Sequence, residues 1–178
     1  MAAGTNARPV PAVDDEAHLW RLVEAAWASL GAEANRVRHA LSARPPGEPV
    51  DGLPVLKGAR EAFLASLASW CRELTAGELT ALDRVVERKL YDIDSDDLHT
   101  VTDGSDDGFL YARGFIVAMG RAFYYAVAAD VLMAAPGAEF EEMCYFFAQL
   151  HRDRYGSFPD TGTGISRESG SNPAGWPR

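Results

Sequence analysis

Lys89-Leu-Tyr-Asp-Ile-Asp-Ser-Asp-Asp-Leu-His-Thr-Val-Thr-Asp-Gly-Ser-Asp-Asp-Gly-Phe109 carries seven aspartates and one histidine between two apolar segments. Its second half reads as a junction between helices. Gly104 permits the left-handed turn that ends a helix. Ser105 can cap the next one, and Asp106 and Asp107 suit the positive end of its dipole. Read this way, the stretch makes the chain an all-α protein.

Working outward, the flanks support that reading. Upstream, Thr75-Ala-Gly-Glu78 matches a capping box, and Leu79, Leu82, Val86, Leu90 and Ile93 form one stripe of a helix expected over 76–100. Downstream, Phe109, Ala112, Phe115, Ile116, Met119, Phe123 and Val127 give a broad apolar face to a helix expected to run to about 129. Gly114 and Gly120 allow a neighbouring backbone to come close. Further helices are expected over 14–30, 57–74 and 138–154. Gly31 ends the first, or a short turn carries on over 32–41. Prolines and glycines mark 43–54 as a loop, and Ala134-Ala-Pro-Gly137 as a break. The sequence therefore predicts a single domain of about five helices over 14–155. A flexible leader (1–13) precedes it, and a Gly/Ser/Pro-rich coil tail (156–178) follows. No strand pattern or internal repeat is visible.

The chain has 178 residues, is 47% hydrophobic and carries a formal net charge of −9. That length supports one real core. The acidic balance argues against nucleic acid and anionic membrane surfaces as partners. The most apolar stretch, 109–135, contains Arg113, Arg121 and Asp130 and reads as a buried helix rather than a span. The first residues lack the apolar region of a signal peptide. Cys71 and Cys144 sit within helical apolar patterns without metal-ligand spacing, which suits buried thiols in a reducing cytoplasm.

Candidate chemistry centres on the acidic stretch. On a helix continuing to residue 100, Asp97 lies in line with Leu79, at the centre of the apolar stripe. A carboxylate there needs a donor or a raised pKa, unless the helix ends first. Asp92, Asp96 and His99, at i, i+4 and i+7, offer three ligands to one divalent transition metal. The competing reading is a solvated face on which Arg88 pairs with Asp92. An EF-hand register starting at Asp92 fails, with Asp97 where glycine belongs and Asp103 where glutamate belongs. Asp106 and Asp107 serve as helix-start charges or as general base and metal ligand. Arg113, at the edge of the apolar face, is the best partner for Asp94 or Asp97. Thr161-Gly-Thr-Gly164 resembles a phosphate loop only superficially, so no cofactor-binding residues are assigned.

Three segments together resemble a known family: Leu19-Trp-Arg-Leu-Val-Glu24, then Tyr91-Asp-Ile-Asp94, then Gly104-Ser-Asp-Asp-Gly-Phe109 followed by Arg113-Gly-Phe-Ile116 and Gly120-Arg121. The pattern is similar to the bacterial domain-of-unknown-function 4240 family over about 15–130. That family reads aromatic-Asp-Leu-Trp, then Ser-Asp-Asp-Gly-Phe, then an apolar helix with Gly-Arg. This chain has Asp94 where the family usually has Trp. The resemblance implies a small helical domain of unsettled function. Any shared site would fall on Asp92, Asp106 and Asp107.

Two functional readings follow. One is a cytoplasmic, non-catalytic interaction or accessory protein with an unidentified protein or small-molecule partner. The other is a carboxylate-based enzyme, with or without a divalent metal, built on Asp92, Asp97, His99, Asp106 and Asp107 with Arg113. They differ in whether these side chains converge on one open pocket.

Overall fold

The computed structural model describes residues 9–102 and 104–177. Most of the expected leader, and Asp103 of the junction, lie outside the described residues. Those residues form eight α-helices, one 3-10 turn and no strand. The helices are α1 (Val13–Ala28), α2 (Ala32–Ala43), α3 (Leu53–Trp70), α4 (Ala76–Asp92), α5 (Asp96–Thr102), α6 (Asp106–Ala118), α7 (Arg121–Ala129) and α8 (Glu141–Tyr155). The 3-10 turn, Val131–Met133, follows α7. None is long and apolar enough to cross a membrane.

The chain is all-helical as expected, but eight helices replace five, for local reasons. After Gly31 the chain forms a full helix, α2, where a short turn was the alternative. The helix expected over 76–100 breaks at Ile93. Ser95 then caps α5, its Oγ accepting from Leu98 N at 3.3 Å. Ser95-Asp-Asp97 thus starts a helix just as Ser105-Asp-Asp107 does. The helix expected to reach 129 breaks at Gly120, whose φ of 95° is a left-handed conformation that favours glycine. A side chain there would also press within 2.5 Å of Glu24 Oε1.

The capping box forms at α4. Thr75 Oγ1 accepts from Glu78 N at 3.3 Å, and Thr75 N donates to Glu78 Oε2 at 2.8 Å. From that start α4 runs through the middle of the molecule, packed against α1, α6 and α8. Trp27 of α1 stacks on Phe63 of α3 with centroids 4.7 Å apart, and Phe63 meets Phe140 edge-on at 5.8 Å. The Trp27 indole donates to Ala118 O at 2.7 Å, at the end of α6. Gly114 lets α6 and α8 approach closely, since a Cβ there would lie 2.6 Å from Cys144 Sγ.

Residues 156–177 contain no helix or strand. They cross the surface over α8, α4 and α6 as an ordered strap. His151 Nδ1 donates to Ser157 O at 2.6 Å where the strap begins.

Candidate functional site

The strap is held mainly by polar groups. Asp94, fully buried in the break between α4 and α5, accepts from the backbone N–H groups of Gly170, Ser171 and Asn172 at 3.1, 2.7 and 2.9 Å. The indole Nε1 of Trp176 adds a fourth donor at 3.0 Å. The arrangement is a nest of amides around a buried carboxylate. Gly175 packs so tightly on this segment that a Cβ would lie 2.1 Å from Asp94 O. The Trp176 ring covers His99 and Phe109.

Arg113 lies beside this nest, fully buried and 3.9 Å from Asp94. Of the two partners expected for it, the structure supplies Asp94. Its guanidinium donates to Leu90 O at 2.9 Å, Arg167 O at 2.9 Å and Ser169 Oγ at 3.2 Å, and lies over the Phe109 ring. Burial lowers its pKa, and Asp94 opposes that shift. Arginine stays charged under such conditions, so the pair is an ion pair built into the strap's seat.

The other candidates do not converge. Asp92 is exposed at the end of α4 and accepts from Arg88 Nε at 2.7 Å, the i, i+4 pairing of a solvated face. Asp97 is exposed in the first turn of α5. It misses the apolar stripe because α4 ends at Asp92 and a separate helix starts at Asp96. For the same reason Asp92, Asp96 and His99 do not share one helix face. His99 Nε2 donates to Gly104 O at 2.9 Å, and the ring packs edge-on against Phe109. Among the described residues no three His, Cys, Asp or Glu side chains are grouped to hold a metal ion. Asp106 and Asp107 are exposed in the first turn of α6, below the Ser105 cap, whose Oγ accepts from Gly108 N at 3.2 Å. Arg113 serves the buried pair.

Among the concavities of the described residues, two flank α8. One is a groove of about 390 Å³ against α3, with Leu64, Phe146 and Leu150 half-buried and Glu141, Glu142 and Asp153 exposed around them. The other is a pocket of about 540 Å³ between α4, α8 and the strap. Its walls include Asp83, Glu87, Tyr145, Thr161 and Arg167. Asp83 and Glu87, one turn apart on α4, were missed in the sequence because they sit among Arg84 and Arg88 and look like a solvated face. Their intrusion at the margin of the Leu79–Leu90 stripe was the available signal. Arg167 NH2 meets Asp83 Oδ2 at 2.6 Å, and its NH1 donates to Cys144 O. Burial raises the Asp83 pKa, and Arg167 opposes the shift. Glu87 Oε2 accepts from Thr161 Oγ1 at 2.8 Å and from Thr163 Oγ1.

Comparison with protein-family models, curated proteins and solved structures found no match to this chain. The resemblance to the domain-of-unknown-function 4240 family therefore rests on the quoted motifs alone.

Proposed function

We propose that this is a cytoplasmic, non-catalytic interaction protein whose α3/α8 groove takes a basic, apolar-anchored segment of a partner protein. The observation that carries the reading is the groove's composition. Its half-buried Leu64, Phe146 and Leu150 can receive the apolar stripe of a helix, and three carboxylates stand at its edge. Arg60 approaches Glu142 only at 3.5 Å, with both side chains well exposed, so this contact holds that carboxylate weakly. A formal charge of −9 would steer a basic partner towards the molecule. Two free, buried cysteines suit a reducing compartment. The described carboxylates of the acidic stretch favour this reading too, because Asp92 pairs with Arg88, Asp94 holds the strap, and Asp96, Asp97, Asp106 and Asp107 stand exposed at helix starts. The family resemblance is part of the proposal and adds a helical scaffold, not a mechanism.

The test is fluorescence anisotropy with labelled amphipathic helical peptides of matched hydrophobicity, one set basic and one acidic. Basic peptides should bind, more weakly as salt rises, and Leu64→Asp should abolish binding. Equal binding of both sets, or full binding to Leu64→Asp, would remove the groove from consideration.

A further inference from the structure

The α3/α8 groove has two unlike ends. Along it α3 and α8 run in the same sense. Arg60 of α3 lies 3.5 Å from Glu142 in the first turn of α8, and Arg154 in the last turn of α8 donates to Cys71 O, just past the end of α3, at 2.7 Å. The first end carries Glu141 and Glu142 against Arg60. The far end carries Asp153 against Arg152 and Arg154, and Arg152 already lies 3.5 Å from Asp153. Leu64, Phe146 and Leu150 line the groove between them. We propose that the groove's partner is an amphipathic helix that lies antiparallel to α8 and carries its basic residues in its last turn. This rests on the proposed role of the groove and adds the partner's direction and spacing.

The spacing comes from one row of α8. Glu142, Phe146 and Leu150 stand at i, i+4 and i+8 and so share a face. They span about 12 Å at 1.5 Å per residue. An antiparallel helix matches the row with an apolar residue at position j against Leu150 and another at j+4 against Phe146. Lysine or arginine at j+7 and j+8 then falls beside Glu142 and Glu141.

Charge sets the direction. Basic residues at the far end would meet Arg152, Arg154 and a single carboxylate that is already paired. A helix parallel to α8 could bring basic residues to Glu142 only in its first turn, where they oppose its own dipole. In the last turn they complement it. The antiparallel arrangement also sets opposite dipole ends of the partner and α8 side by side. Glu141 and Glu142 are exposed, so these contacts are screened by salt and select direction more than they add affinity.

Two labelled peptides of one composition test this on the full chain. Both carry the apolar pair at j and j+4. One has two lysines at j+7 and j+8, and the other has them in its first turn. Both are capped at their ends and cross-linked i, i+4 on the solvent face, which makes them equally helical. By fluorescence anisotropy at low salt the first should bind about fivefold tighter, and the ratio should close as salt rises. A nitroxide at the N-terminus of the first peptide should broaden NMR amide signals around Asp153 and spare those around Glu142. Glu142→Gln, at an exposed position, should weaken this peptide about threefold, and Asp153→Asn should not weaken it. Broadening around Glu142, or at both ends alike, would overturn the proposed direction while leaving the groove as a binding site. Equal affinity of the two peptides would do the same. Failure of both to bind would overturn the groove reading, and this inference with it.

Discussion

Arg113 shows how one side chain can tie several elements together. It starts on α6, reaches the last turn of α4 through Leu90 O, and meets the strap at Arg167 O and Ser169. Its Nε has no partner, so the side chain is already under-satisfied in its buried seat. Arg113→Ala would leave Asp94 buried beside a cavity. The expected cost is about 3–5 kcal/mol, the range for breaking a buried pair from one side. Thermal unfolding followed by circular dichroism measures it, and an unchanged Tm would mean that the four donors around Asp94 suffice. Trp176→Phe probes one of those donors while keeping a ring over His99. Loss of a hydrogen bond to a charged acceptor should cost about 1.5–3 kcal/mol. The double variant should cost less than the two single costs added, because both act through the docking of one strap.

At the scale of elements, helix starts and the strap follow different rules. The α4 start is local: Thr75 and Glu78 exchange hydrogen bonds over three residues. Thr75→Ala should cost about 1 kcal/mol. The backbone and side-chain hydrogen bonds from Thr75 hold the Glu78 pKa below its ordinary value. Its contribution is therefore present above the unfolded carboxylate pKa and is lost as pH falls through the lower, folded value. A carboxyl titration by NMR should place Glu78 below the usual glutamate range in the native chain and return Thr75→Ala to it. The strap has no such local logic. Its bonds reach back as far as 84 residues, from Arg167 to Asp83, with Ser169 reaching Asp106 O across 63. Removal of residues 156–178 should lower Tm, and in the intact chain the strap should resist proteolysis until the helices melt. Early cleavage of the strap with an unchanged Tm would show that it contributes little to the fold.

For the molecule as a whole, the core controls cysteine chemistry. Burial pushes the Cys71 thiol up to about 11 and the Cys144 thiol up to about 12. The thiolate is the reactive form, so neither should react readily at neutral pH. Alkylation should label no cysteine in the native chain and two in denaturant. Fast native labelling of Cys144, which lies beside Gly114 at the α6/α8 contact, would mean that this contact opens. Acid should weaken the tie between α1, α4 and α7 as well. Burial raises the Glu16 pKa, but hydrogen bonds from Tyr125, Lys89 and Trp20 overcome it and leave the value lowered. The stability from this tie is thus present above the unfolded glutamate pKa and is lost as pH falls through the folded one. Glu16→Gln should shallow the acid limb of a stability–pH curve.

Much of this was legible from residues close together in the chain. The 3.6-residue periodicity, the Thr75–Glu78 box, the Ser105 cap and the Gly114 approach are short-range signals, and together they determine an all-helical chain whose acidic stretch lies between α4 and α6. The same signals held the break at Ser95, whose Ser-Asp-Asp repeats the pattern at Ser105 and was obscured by the long apolar stripe before it. What the tertiary structure alone decided is the fate of the charges. Asp94 was one of two expected partners for Arg113, with nothing to choose it over Asp97, and Asp83 looked like part of an Arg-rich face. Each is buried because residues 76 or more positions later fold back over it. A charge's desolvation and its partner depend on what covers it, and the covering segment has no periodicity of its own to announce where it will dock.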